Sequence, residues 1–358
     1  MADYVEFLQS EARAPEWPYP VRYGVENQIT ADVLVLGGGV AGSHAALTLA
    51  RKGLKTVVVE KGGGKKAGSG GVGVDHWHYA CTNPASKVTP EEMVEAMVGS
   101  MGEYECGIFD YINYKEGYEA LLDCERLGVK IRDTDDEFKG AEFRDERTKL
   151  LFSYDYENKY DIRVPGGWNI RGPLYKELQR LGVGIYDRVM ATSLLTERGK
   201  HGSRVVGATG VNSRTGEFYV FKAKATLLCM ANVHRLWVFS TELKGSACMY
   251  DPNCVGDGHV MAWAAGAAIT MMEKSRPDSG GFDWPDYGVG NASNTWFACT
   301  IVDANGKEVP WVDKDGRELG TVSERYRPAP GQRFLLPPPG LCRGERTFRQ
   351  IRGPASHS

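Results

Sequence analysis

Apolar residues in this chain arrive in short blocks separated by glycine-rich or charged breaks, and the first pair of blocks sets the plan. Residues 31–36 (ADVLVL) and 56–59 (TVVV) are Val- and Leu-rich runs of strand length. They lack the alternation of a half-exposed strand, so both are expected to be buried on two faces. The segment between them reads as a helix to about Lys52, with small Ala45 and Ala46 near its start and Gly53 in the terminating position. Further on, Thr89-Pro90-Glu91-Glu92 marks a helix start, with Thr as N-cap, Pro at the first helical position and Glu92 closing a capping box. Met93, Met97 and Met101 then recur every four residues, the spacing of a core-facing stripe. A second helix is expected over 109–127, stopped by Gly128. Twelve of the eighteen residues from Arg132 to Lys149 are charged with mixed sign, which predicts a solvated ribbon or loop. A short helix over 172–181 and a strand over 188–196 follow. A hairpin of 204–212 and 217–221 is expected around Ser213-Arg214-Thr215-Gly216, then the apolar strand KATLLCM (224–230). A helix rich in small residues over 259–268 completes the pattern.

The order strand, glycines, helix, strand, acid carries the first chemical signal. Gly37-Gly38-Gly39-Val40-Ala41-Gly42 fits G-x-G-x-x-G, with Gly37, Gly39 and Gly42 in the fixed places. The first glycine permits the tight turn, the second admits a pyrophosphate close to the backbone, and the third lets the helix lie against the strand. Val40 and Ala41 sit inside this candidate phosphate cradle. Glu60 lies 18 positions after Gly42, where a carboxylate can accept the ribose hydroxyls of an adenine dinucleotide. An acid there favours FAD or NAD over NADP, whose 2′-phosphate it would repel. The fold expectation is α/β and Rossmann-like.

At 358 residues the chain can hold two domains or one large one, and 42% hydrophobic with 25% charged residues is the composition of a globular protein. A net charge of −3 gives no reason to expect nucleic acid as a partner. Residues 1–30 carry Glu6, Glu11, Glu16 and Glu26 without a long apolar run, the pattern of neither a signal peptide nor an anchor. No later stretch is of membrane-spanning length, so direct membrane insertion is not expected. Eight cysteines without a CxxC or ligand-type spacing read as reduced thiols in a cytoplasmic protein, with no metal or iron–sulfur site in this chain.

Three further segments are candidates for the site. After Lys61 a glycine-rich loop, residues 62–73, leaves the carboxyl end of the second strand, the edge where open parallel sheets bind ligands. The amides of Ser69, Gly70 and Gly71 are thereby candidates for phosphate or flavin oxygens. Asp75-His76-Trp77-His78 follows, either a packed aromatic loop or a histidine beside a redox ring. Cys254-Val255-Gly256-Asp257-Gly258 opens the last helix, with Asp257 either a ligand-binding acid or an ordinary N-cap.

Taken together, the glycine fingerprint with Glu60-Lys61, the glycine loop, the hairpin with Thr215-Gly216-Glu217, KATLLCM and VGDGHVMAWAAGAAITMMEK resemble one family in their order. It is that of the flavoprotein subunits of fumarate reductase, succinate dehydrogenase and adenylylsulfate reductase, and the resemblance covers roughly residues 31–273. It implies a Rossmann-like FAD-binding domain with mixed sheet and β-ribbon insertion, plus the start of a capping domain. The expected division is an N-terminal arm (1–30), the FAD domain (31–275), a partial cap (276–334) and a basic tail (335–358) that does not fold. The resemblance also implies that the backbone around Val189, Met190 and Ala191 meets the adenine end, that Ala231 lies near the flavin and that Asp257 binds it.

The chain departs from the family pattern in four places. Where the family reads A-T-G-G, this chain has Cys229-Met230-Ala231-Asn232. Where some members carry a flavin-linked histidine, it has Lys65-Lys66-Ala67, so noncovalent FAD is expected. The family's substrate-binding His-Pro is replaced by Met272-Glu273-Lys274-Ser275-Arg276-Pro277, moving the match toward adenylylsulfate reductase. The family continues past the point where this chain runs into Leu335-Leu336-Pro337-Pro338-Pro339 and four arginines, a truncated or frame-shifted end. The function expected is hydride transfer between FAD and a small anionic substrate, with Arg276 either the substrate's cation or a surface arginine at the domain junction, and His76 for proton transfer. The expected electron partner is a separate iron–sulfur subunit. An NAD-linked dehydrogenase and a nucleotide-binding chain without turnover are the alternatives.

Overall fold

The computed structural model describes residues 17–71, 73–100, 106–153, 155–231, 253–270, 299–302, 317 and 349–352. Strand β1 (Glu26–Leu36) begins inside the segment expected as an arm. Its C-terminal half is the buried apolar run, and helix α1 (Val40–Arg51) leads from it to β2 (Thr56–Glu60). β1 and β2 pair in parallel, Val33 opposite Thr56 and Leu36 opposite Val59. The helix ends as its sequence predicts: the amides of Lys52 and Gly53 turn back to Leu49 and Ala50, and Gly53 has φ of 79°.

A small antiparallel sheet follows, made of β3 (His76–Trp77), β4 (Leu151–Phe152) and β5 (Ile162–Arg163), with β5 in the middle. Between β3 and β4 run α2 (Pro90–Ser100) and α3 (Gly107–Arg126). The capping box forms: Thr89 N donates to Glu92 at 2.8 Å, and Glu92 N donates to Thr89 Oγ1 at 3.2 Å. Met93 is buried and Met97 packs beside it, while Met101 lies outside the described residues.

The charged stretch from Arg132 to Lys149 is not simply a solvated ribbon. Arg144 is buried, paired at 2.8 Å with the equally buried Asp133 and bonded also to Asp136 and Glu146. Asp133 further accepts the amides of Glu137 and Phe138, so its charge is satisfied without water. Mixed sign predicts exposure only while the charges are unpaired.

Helix α4 (Arg171–Arg180) then leads to β6 (Gly184–Asp187), a short strand that pairs in parallel with β2. β7 (Val189–Thr196), β8 (Val205–Asn212) and β9 (Phe218–Leu228) are joined antiparallel, and β9 runs parallel to β1 from Glu26 opposite Phe218 to Leu36 opposite Leu228. The sheet order is β6-β2-β1-β9-β8-β7. The expected hairpin arm and the strand KATLLCM are one continuous strand. Lys222 and Lys224, which interrupt the apolar pattern, stay in the ladder by reaching across to Gln28 and Asp32 on β1.

Both faces of β1 and β2 are covered, as their sequences require. Val35 and Val58 face a core with Ala46 and Leu47 of α1, Leu121 of α3 and Leu174 of α4. Leu34, Leu36, Val57 and Val59 face the β7–β9 ribbon with Ala208, Phe221 and Met261. Met261 comes from α5 (Asp257–Ala265), which starts two residues before the predicted helix. Of the expected cap and tail, strands β10 (Cys299–Val302) and β11 (Arg349–Arg352) pair antiparallel, and almost all the rest lies outside the described residues. Among the described residues no helix is long and apolar enough to cross a membrane.

Candidate functional site

The carboxyl ends of β1, β2 and β9, the start of α1 and the start of α5 converge on a cleft of about 710 Å³. Gly37, Gly39, Val40, Ala41, Glu60, Lys61, Ser69, Gly70, Ala191, Ala231 and Asp257 all line it. Gly39 is the N-cap of α1, and there is open space where its Cβ would stand. The first-turn amides of an α-helix have no partners within the helix, and α1 has no acidic residue there to repel an anion. This is the geometry a pyrophosphate needs.

Gly42 and Gly71 act behind the cleft and do not line it. A Cβ on Gly42 would fall 1.9 Å from the Gly37 carbonyl oxygen, and one on Gly71 would fall 1.8 Å from that of Lys66. Met190 alternates with the buried Val189 and Ala191 and is exposed, so only its neighbours face the cleft. Arg276 lies outside the described residues.

Glu60 is held at the end of β2 by the amides of Gly38 (2.7 Å) and Gly62 (2.6 Å), one to each carboxylate oxygen. Each oxygen keeps a second lone pair for a ribose hydroxyl. Lys61 forms an ion pair with Asp257, joining the end of β2 to the start of α5. Gly256, not Asp257, is the N-cap of α5, in the left-handed region at φ 88°. Asp257 is therefore the first helical residue and faces the cleft. Ala231 has φ of 61°. It occupies a glycine position of the family phrase A-T-G-G, and the left-handed backbone explains why glycine suits that place.

His76 lies elsewhere than beside these residues. It lines a second cleft of about 510 Å³ with Trp77, His78, Asn113 and Glu116, which shares no lining residue with the first. Its Nδ1 pairs with Asp75 at 2.8 Å, and its ring stacks on His78 at 5.7 Å. Burial pushes the His76 pKa down against the opposing bond to Asp75.

Three residues at or behind the cleft were not among the candidate site residues. Arg188 lines it with a left-handed backbone, φ 62°. Cys254 lines it beside Ser69, their side-chain atoms 3.7 Å apart. Arg171, fully buried, donates to the Gly39 carbonyl (3.2 Å), to Ser43 Oγ and to the Gly64 carbonyl. The charged start of a short helix gives no hint that it lies under a glycine turn more than a hundred residues earlier.

Residues 32–276 match the FAD binding domain family. Among curated proteins, the chain is 28% identical over 273 residues to one of the subunits of fumarate reductase (CoM/CoB) of Methanothermobacter marburgensis, covering 71% of this chain and 43% of that protein. It is 25% identical over 258 residues to the succinate dehydrogenase flavoprotein subunit of Rickettsia bellii, covering 68% and 38%. The chain thus spans about two-fifths of the length of these relatives. Among solved structures, adenylylsulfate reductase from Archaeoglobus fulgidus has the same fold, with a TM-score of 0.62 at 23% identity over 83% of this chain and 45% of that one. The glycine cradle, the fixed carboxylate and the open helix start fit an adenine dinucleotide, and the family decides for FAD over NAD. The chain belongs to the FAD binding domain family, with FAD as its cofactor and the fold of the fumarate reductase, succinate dehydrogenase and adenylylsulfate reductase flavoproteins.

Proposed function

We propose that this chain is the FAD-binding part of an oxidoreductase that exchanges hydride with a small anionic substrate and holds FAD without a covalent bond. The observation that carries the reading is the convergence of the glycine turn, Glu60, the Ser69-Gly70 loop and Asp257 on one cleft. When bound, the isoalloxazine ring would supply the redox chemistry. The residues of this chain bind and orient. The α1 amides hold the pyrophosphate, Glu60 accepts the ribose hydroxyls, and the backbone at Val189 and Ala191 meets the adenine. Ala231, Ser69 and Gly70 lie toward the flavin, with Asp257 and its partner Lys61 bonding to it. Lys65-Lys66-Ala67, standing where some members carry a flavin-linked histidine, is what supports a noncovalent cofactor.

His76 is the proposed proton-transfer group. Burial keeps its imidazole neutral near pH 7, and Asp75 fixes Nδ1, the state and orientation a general base requires. Arg276 is proposed as the cation for the substrate. The proposed electron partner is a separate iron–sulfur subunit, in a cytoplasmic assembly.

The test is the visible spectrum of the purified chain, followed by that of the supernatant after acid precipitation. Flavin bands that move to the supernatant support noncovalent FAD. Flavin left on the precipitated protein overturns the noncovalent assignment. Flavin that bleaches with a chemical reductant but with no organic donor overturns the enzymatic reading and leaves a binding chain.

A further inference from the structure

Arg171 is 1% exposed, and no carboxylate forms a salt bridge or hydrogen bond with it among the described residues. Its bonds go to neutral acceptors: the carbonyls of Gly39 and Gly64 and the hydroxyl of Ser43. Nε has no partner. The acids that act on it through space, Glu60 and Asp187, are already engaged by amides, Glu60 by Gly38 and Gly62, and Asp187 by Gly64. Burial accordingly lowers its pKa, against the pull of those two carboxylates. A buried guanidinium without a bonded anion is unfavourable, because its lost hydration is not replaced by a countercharge.

The groups it does hold belong to the cofactor cleft. Gly39 is the N-cap of the phosphate-binding helix. Ser43, one turn on, donates in turn to the Gly38 carbonyl at 3.3 Å. Gly64 lies in the second glycine loop, and its amide is tied to Asp187 at 2.7 Å. One guanidinium thus fastens the turn after β1 to the loop after β2, from the side facing away from the cleft.

We infer that Arg171 is a positioning residue of the FAD site, which joins the two glycine segments and places a buried positive charge behind the amides that receive the pyrophosphate. The missing countercharge is the pyrophosphate of the dinucleotide. The inference rests on FAD binding at this cleft and predicts a phosphate-specific effect, which a purely structural arginine would not show.

The experiment compares FAD, ADP and riboflavin binding to the full chain after removal of bound flavin, for wild type and Arg171→Met. FAD and ADP affinities are expected to fall about 10- to 100-fold, the range for losing a charged hydrogen-bonding group, while riboflavin stays within about twofold. Unchanged FAD and ADP affinity overturns the inference, as does an equal loss for riboflavin with a lowered apo melting temperature. Should Arg171→Met not fold, Arg171→Lys is the test, with hydrogen exchange of residues 62–68. An ammonium retains the charge but not the fork, so faster exchange of that loop and a smaller ADP loss are expected. Wild-type exchange with wild-type affinity overturns the proposal. A wild-type chain that takes up neither FAD nor ADP overturns the cofactor cleft itself, and the inference with it.

Discussion

Gly39 and Gly42 make a discriminating pair of substitutions, because the structure gives them different reasons to be glycine. A Cβ on Gly42 would stand 1.9 Å from the Gly37 oxygen and 3.0 Å from its carbonyl carbon, where ordinary contact begins at 3.4 Å. The obstacle is the Gly37 backbone carbonyl, so Gly42→Ala requires α1 to retreat from the end of β1 by about 1.5 Å. Overpacking of this kind costs about 1–3 kcal/mol, which for a domain of this size lowers the apo melting temperature by roughly 2–12 °C. The retreat also carries the first-turn amides away from the pyrophosphate, and a displacement of this order costs about 100-fold in a positioned interaction. Gly39→Ala meets no atom within 4 Å in the free protein. As an N-cap change it costs at most about 1 kcal/mol, so its melting temperature stays near wild type. Its FAD affinity falls nonetheless, because the methyl group occupies the approach to the pyrophosphate. Differential scanning fluorimetry of the apo chain and calorimetric titration with FAD measure the two effects. Gly42→Ala with wild-type melting and wild-type affinity, or Gly39→Ala with undiminished affinity, refutes the packing argument.

Three further outcomes are expected. Glu60→Ala leaves the Gly38 and Gly62 amides without their acceptor, at about 1–3 kcal/mol per buried donor. Urea unfolding of the apo protein should show it, with a smaller loss for Glu60→Gln, which keeps one oxygen acceptor. Asp133→Ala removes the buried partner of Arg144 but leaves Asp136 and Glu146 on the same guanidinium, and should destabilise by about 1.5–3 kcal/mol in the same assay. The folded pKa of His76 lies below its unfolded value, so the unfolded chain binds the proton more readily. Its contribution is full above a pH of about 6.5 and is lost as pH falls from there through the folded pKa. Melting curves at stepped pH should therefore show an acid limb that His76→Gln flattens, and an unchanged limb would exclude His76 as its source.

The limits of the sequence are clearest at particular elements. β6 is four half-buried residues without an apolar run, and only the open edge of β2 makes it a strand. β9 looked like two pieces because Lys222 and Lys224 break its apolar pattern, and their partners on β1 exist only once the strands pair. Asp257 could be read as an N-cap until the backbone of Gly256 and the reach of Lys61 assigned it to the cleft wall. His76 could be read as packed in an aromatic loop or as lying beside the flavin, and the small sheet sets it in a second cleft.

The sequence by itself determined what depends on neighbours within some thirty residues: the strand–turn–helix–strand of β1, α1 and β2, its glycines and acid, and the capping box of α2. Those features are fixed by backbone conformations and side-chain periods that the local chain dictates. Only the tertiary structure decided which distant segments close the cleft, which charges are buried, and that Arg171 lies beneath the glycine turn. Those depend on strand order and on charge pairing between residues far apart in the chain, which local pattern does not encode.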